Sequence, residues 1–132
     1  MRRLAALFVG GGLVMLAGCS NHLTSRVQID GAQFSPTGCN NGIVYGFAGV
    51  QFQDAAGRRL RVLNNPATNE VRVAWFPDGT GRGYELGTCA SLRQRRGTGT
   101  INGVQNQEGA VSFSCDSEGH KISGSIDFKN CH

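Results

Sequence analysis

Lys121-Ile122-Ser123-Gly124-Ser125-Ile126-Asp127-Phe128-Lys129 alternates apolar and polar side chains along its length. Successive side chains of a strand point to opposite faces. Ile122, Ile126 and Phe128 therefore share one side, and Lys121, Ser123, Asp127 and Lys129 share the other. The stretch before it repeats the pattern, with Val111, Phe113 and Cys115 inward and Ser112, Ser114 and Asp116 outward. Ser117-Glu118-Gly119-His120 between the two reads as a tight hairpin turn. With Glu118-Gly119 at the tip, Ser117 faces His120 and Cys115 faces Ile122. This hairpin decides the fold class.

Working back from it, further strands are expected over Thr100 to Val104, Tyr84 to Leu92, Glu70 to Phe76, Arg59 to Leu63 and Val27 to Ile29. Residues 105–109 should connect the first of these to the hairpin. Val71, Val73 and Trp75 share a face, and Pro77-Asp78-Gly79 stops that strand. Ile43 to Gln53 is the longest candidate and is apolar on both faces as far as Val50, the pattern of a central strand. No amphipathic helix or internal repeat interrupts the series. The expectation is an all-β domain of about eight short antiparallel strands, a β-sandwich or small barrel.

The first residues follow another rule. Arg2 and Arg3 precede an apolar run from Leu4 to Leu16, and the run ends in Leu16-Ala17-Gly18-Cys19. Thirteen helical residues rise roughly 20 Å, short of the ~30 Å hydrocarbon core, so the run suits a signal peptide better than a span. Leu16-Ala17-Gly18-Cys19 resembles the lipobox of bacterial lipoproteins. That resemblance implies cleavage after Gly18, a diacylglycerol on the Cys19 sulfur and palmitate or a similar acyl group on the new amine. It also implies the cell envelope, with membrane attachment through lipid and not a span. Ser20, where an aspartate would retain the protein at the inner membrane, favours the outer membrane in a Gram-negative source, at its periplasmic face, with the cell surface as the alternative. The chain thus divides into a leader (1–18), an acylated polar tether (19–26) and one β-domain (27–132).

Composition narrows the function classes. Removing residues 1–18, with Arg2 and Arg3 among them, leaves 114 of 132 residues and lowers the net charge from +4 to +2. So small an excess does not suggest a nucleic-acid binder. Twenty glycines and 17% charged residues also exclude a coiled coil or a charged disordered tail.

Apart from Cys19, four cysteines remain: Cys39, Cys89, Cys115 and Cys131. In an exported chain they predict two disulfides, with three connectivities open. No C-x-x-C spacing supports a zinc site. Cys131 lies nine residues beyond the partner of Cys115, roughly 30 Å along an extended strand, whereas a bridge needs Cα atoms within about 7 Å. This favours Cys39 with Cys131 and Cys89 with Cys115.

Catalytic signals are sparse. Gly79-Thr80-Gly81 and Gly97-Thr98-Gly99 complete no phosphate-binding fingerprint, and G-x-S-x-G is absent. Asp116, Glu118 and His120 alternate in a way that can ligate an ion, but they also suit a polar hairpin rim. No cofactor, metal or catalytic residue is assigned.

Two basic clusters stand out: Arg58, Arg59 and Arg61 after a turn, and Arg93, Arg95 and Arg96 in what reads as a loop. Guanidinium forks match phosphate and carboxylate, so an anionic glycan, lipid or acidic protein is the candidate partner. Charge guarding sheet edges is the simpler explanation for the same residues. The expectation is a lipid-anchored envelope protein with a non-catalytic binding or scaffolding domain. The alternatives are a small hydrolase of envelope polymer and an inhibitor of a cell-wall-degrading enzyme. The latter is a likeness of class: small disulfide-bonded lipoproteins that inhibit lysozyme share the size and anchor, while their signature residues are absent here.

Overall fold

The computed structural model describes residues 21–132. The leader, Cys19 and Ser20 lie outside the described residues. Two antiparallel five-stranded sheets pack face to face as a β-sandwich.

In chain order the strands are β1 (His22–Ile29), β2 (Ala32–Phe34), β3 (Gly38–Asn41), β4 (Gly49–Gln53) and β5 (Arg59–Asn65). They continue with β6 (Glu70–Phe76), β7 (Tyr84–Gly87), β8 (Ala90–Ile101), β9 (Val104–Ser117) and β10 (His120–Cys131). The first sheet has the order β2-β1-β10-β9-β8, and the second is the meander β3-β4-β5-β6-β7. The chain crosses between sheets after β2 and returns after β7.

The defining hairpin has the expected register, with Ser117 opposite His120 and Cys115 opposite Ile122. Its inward residues meet those of the second sheet in one core. Val27, Phe34, Phe52, Leu60, Val62, Trp75, Val111, Ile122 and Ile126 are all buried there. Phe34 meets Trp75 edge-on at 5.6 Å, and Phe52 meets Phe128 at the same separation. Such edge-to-face contacts suit the ring quadrupoles.

Each sheet crossing is stapled. Cys39, just past the first crossing, is bonded to Cys131 at the end of β10, with Cα atoms 5.1 Å apart. Cys89, within the second, is bonded to Cys115 on β9, with Cα atoms 5.0 Å apart.

Four local expectations are corrected. Residues 22–26 are the opening of β1, not a tether: Leu23 packs against the core and His22 pairs with Lys129. Ile43 to Tyr45 are not strand. Asn41 caps a single 3-10 turn, Gly42–Tyr45, through its side chain to the Ile43 N–H, and Gly46 closes the turn in the left-handed region at φ 82°. Paired capping and glycine signals there outweigh apolar content.

Tyr84 to Leu92 is likewise two strands in different sheets: the first ends at Gly87, with φ 86°, and Thr88-Cys89 lead to the second. Finally, residues 93–99 and 105–109 are not connections. They lie in β8 and β9, whose turn is Asn102-Gly103, both with positive φ. Asn-Gly is a dipeptide that a two-residue hairpin of this hand favours, and it outranks the polar run that follows.

Candidate anion-binding surface

The first arginine cluster is engaged in the second sheet. Asp54 accepts from the Ala56 and Arg58 N–H groups through Oδ1, and its Oδ2 takes the Arg58 Nε at 2.7 Å. Arg58 thereby closes the β4–β5 turn. Arg59 lies 5.7 Å from the Phe76 ring. Arg61 donates twice to Gln51 Oε1, at 3.0 and 2.8 Å, and stacks 4.8 Å from both Phe47 and Phe76. Burial lowers the Arg61 pKa, with the nearby Arg59 charge adding to the effect. These contacts account for the cluster by packing and cation–π attraction. Its arginines already have partners.

The second cluster is divided by strand geometry. Arg93 and Arg95 occupy alternate positions of β8 opposite Ala110 and Glu108, whereas Arg96 follows next and so points the other way. The register breaks between Arg96 and Thr100, where Gly99 takes φ 77°. A groove of about 700 Å³ is lined by Arg93, Arg95, Glu108, Ala110 and Lys129, with Leu92 and Phe128 among its apolar walls. Glu108 pairs with the Arg95 Nε at 3.0 Å, and the Arg95 side chain remains 79% exposed.

Lys129, two strands away on β10, completes the basic rim. It carried no signal in the sequence because its membership depends on sheet order. Arg96 lines a second groove, of about 790 Å³, with Arg95, Ile43, Phe47 and Gln107. None of Arg58, Arg59 and Arg61 lines either groove.

The histidine chemistry is also tertiary. His120 Nδ1 lies 2.7 Å from Asp30 Oδ2, and the Tyr84 ring packs against the imidazole at a tilt of 57°, with centroids 4.4 Å apart. Asp30 Oδ1 accepts the Lys121 N–H at 2.8 Å. Among the described residues no serine or cysteine side chain hydrogen-bonds to His120, and no three His, Cys, Asp or Glu side chains gather at metal-binding distance. His120 is thus joined to Asp30. The pair clamps the β1–β2 turn to the β9–β10 turn.

The Lys121 N–H and then His120 hold the Asp30 carboxyl below its ordinary 3.8. A depressed carboxylate pKa stabilises the fold fully above the unfolded value, and that stabilisation is lost as pH falls through the folded value. Asp30→Asn should therefore be less stable than the parent at pH 7, with the gap closing below about pH 4. Urea midpoints at pH 7 and pH 2 check this; an equal gap at both would contradict it.

No protein-family model, curated protein or solved structure matches this chain.

Proposed function

We propose that the protein is an acyl-anchored envelope lipoprotein whose β-sandwich is a non-catalytic binding module for an anionic envelope component. The lipobox-like Leu16-Ala17-Gly18-Cys19 supports the anchor, and two disulfides suit an oxidising envelope compartment. The binding reading rests on one observation: Arg93, Arg95 and Lys129 converge on an open groove with a single carboxylate, Glu108, in its lining. Two guanidinium forks and an ammonium form a fitting rim for phosphate or carboxylate groups along a polymer.

The test uses the full chain purified from membranes and an anionic envelope glycan such as teichoic acid or lipopolysaccharide core. Arg93→Ser with Arg95→Ser should weaken binding by at least about tenfold, since charge-assisted contacts contribute roughly 1.5–3 kcal/mol each. Binding should also fall steeply with salt. Arg59→Ser, outside the groove, should leave it unchanged. Equal retention of all three proteins would return Arg93 and Arg95 to edge protection. Fatty-acid labelling abolished by Cys19→Ser is the separate expectation for the anchor.

A further inference from the structure

Four large hydrophobic residues are exposed among the described residues: Ile43 at 67%, Val44 at 51%, Tyr45 at 41% and Tyr84 at 42%. Three are consecutive and occupy the single 3-10 turn. That turn is closed by its own backbone, with Gly46 N–H donating to Ile43 O and Phe47 N–H to Gly42 O, both at 3.1 Å. It is a fixed apolar knuckle, and core formation does not explain its exposure.

Its position does. Asn21 begins the described chain and is held by two contacts: its Oδ1 accepts the Cys39 N–H at 3.2 Å, and its Nδ2 donates to Asn130 O at 2.6 Å. Cys39 leads through β3 to Asn41, which donates to Gln105 O and caps the knuckle. Arg96 stands opposite Gln107, which stands opposite Cys131, the disulfide partner of Cys39. The chain entry, the knuckle and Arg96 therefore share one end of the sandwich. Tyr84 is at the other end, packed against His120 beside the β9–β10 turn.

Cys19 precedes Asn21 by two residues, a reach of about 7 Å at full extension. An acyl group on Cys19 would hold this end against the lipid surface. We propose that this end of the domain rests on an anionic phospholipid bilayer, with Ile43, Val44 and Tyr45 among the headgroups and Arg96 at the lipid phosphates. The proposal rests on the acylation reading. Apolar side chains beside a cation and an amphipathic tyrosine are the composition of an interfacial contact. The internal closure of the turn keeps the cost of leaving water low.

The test introduces one fluorophore at each end of the full chain, Val44→Trp or Tyr84→Trp. The native Trp75 is buried and supplies a common background. Each protein is reconstituted into vesicles of phosphatidylethanolamine and phosphatidylglycerol, with or without brominated acyl chains. Bromine should reduce the emission added by Val44→Trp about twofold or more and leave that added by Tyr84→Trp unchanged. Equal emission with and without bromine for Val44→Trp would overturn the proposal, and a dimer in sedimentation would then assign the knuckle to a second copy. Palmitate labelling of the same samples reports the anchor independently. Label without quenching refutes the docking alone, whereas quenching without label refutes the anchor alone.

Discussion

Replacing Cys39 and Cys131 together by alanine should destabilise the domain by about 4–5 kcal/mol, because the bond closes a loop with a sequence separation of 92. The Cys89–Cys115 bond spans only 26 residues, and its removal should cost about 3.5 kcal/mol by the same chain-entropy argument. For a domain of this size the larger loss corresponds to a fall in melting temperature on the order of 20 °C. It is also a large share of the roughly 5–15 kcal/mol that such a domain has in total. Denaturation of the two double variants side by side gives the ranking. A greater loss from removing Cys89–Cys115 would show that loop closure is not the dominant contribution. The positions of the bonds give the ranking a structural meaning: Cys39–Cys131 joins the two sheets, whereas Cys89–Cys115 fastens the second crossing to β9 of the sheet it enters.

Phe52→Ala should cost about 3–5 kcal/mol, the range for emptying a large aromatic site in a packed core. Phe52 is fully buried on β4, opposite Leu60, and its ring meets Phe128 of the other sheet edge-on at 5.6 Å. The cavity would therefore open between the two layers. Phe128→Ala should behave similarly, and the double variant should reveal a coupling of about 0.5–1.5 kcal/mol. Urea denaturation of the four proteins completes the cycle. A loss below about 1.5 kcal/mol for Phe52→Ala would mean that the two sheets collapse into the vacated space, contrary to a rigid sandwich core.

Asp30 and His120 show a separation that local reading could not bridge. They are separated by 90 positions in the chain, yet Asp30 accepts from Lys121 as well as meeting His120. Only the pairing of β1 with β10 brings the two turns together. Arg96 failed for the opposite reason. It sits beside Arg95 in sequence, yet strand alternation keeps it out of the groove that Arg93 and Arg95 share. Ile43-Val44-Tyr45 misled through composition, since an apolar run reads as buried until Asn41, Gly42 and Gly46 are recognised as the frame of a turn.

The sequence by itself determined the all-β class, the β9–β10 hairpin and its register, because period-two alternation and a two-residue turn act between neighbours. Chain reach also sufficed to set Cys115 apart from Cys131, which are bonded to different partners. Only the tertiary structure decided which sheet each strand joins, where the chain crosses, and that Lys129 rather than Arg96 stands with Arg93 and Arg95 over Ala110. The physical reason is range. Alternation and turn chemistry are encoded within a few residues, whereas membership of a surface follows from sheet order, which depends on burying every apolar face at once.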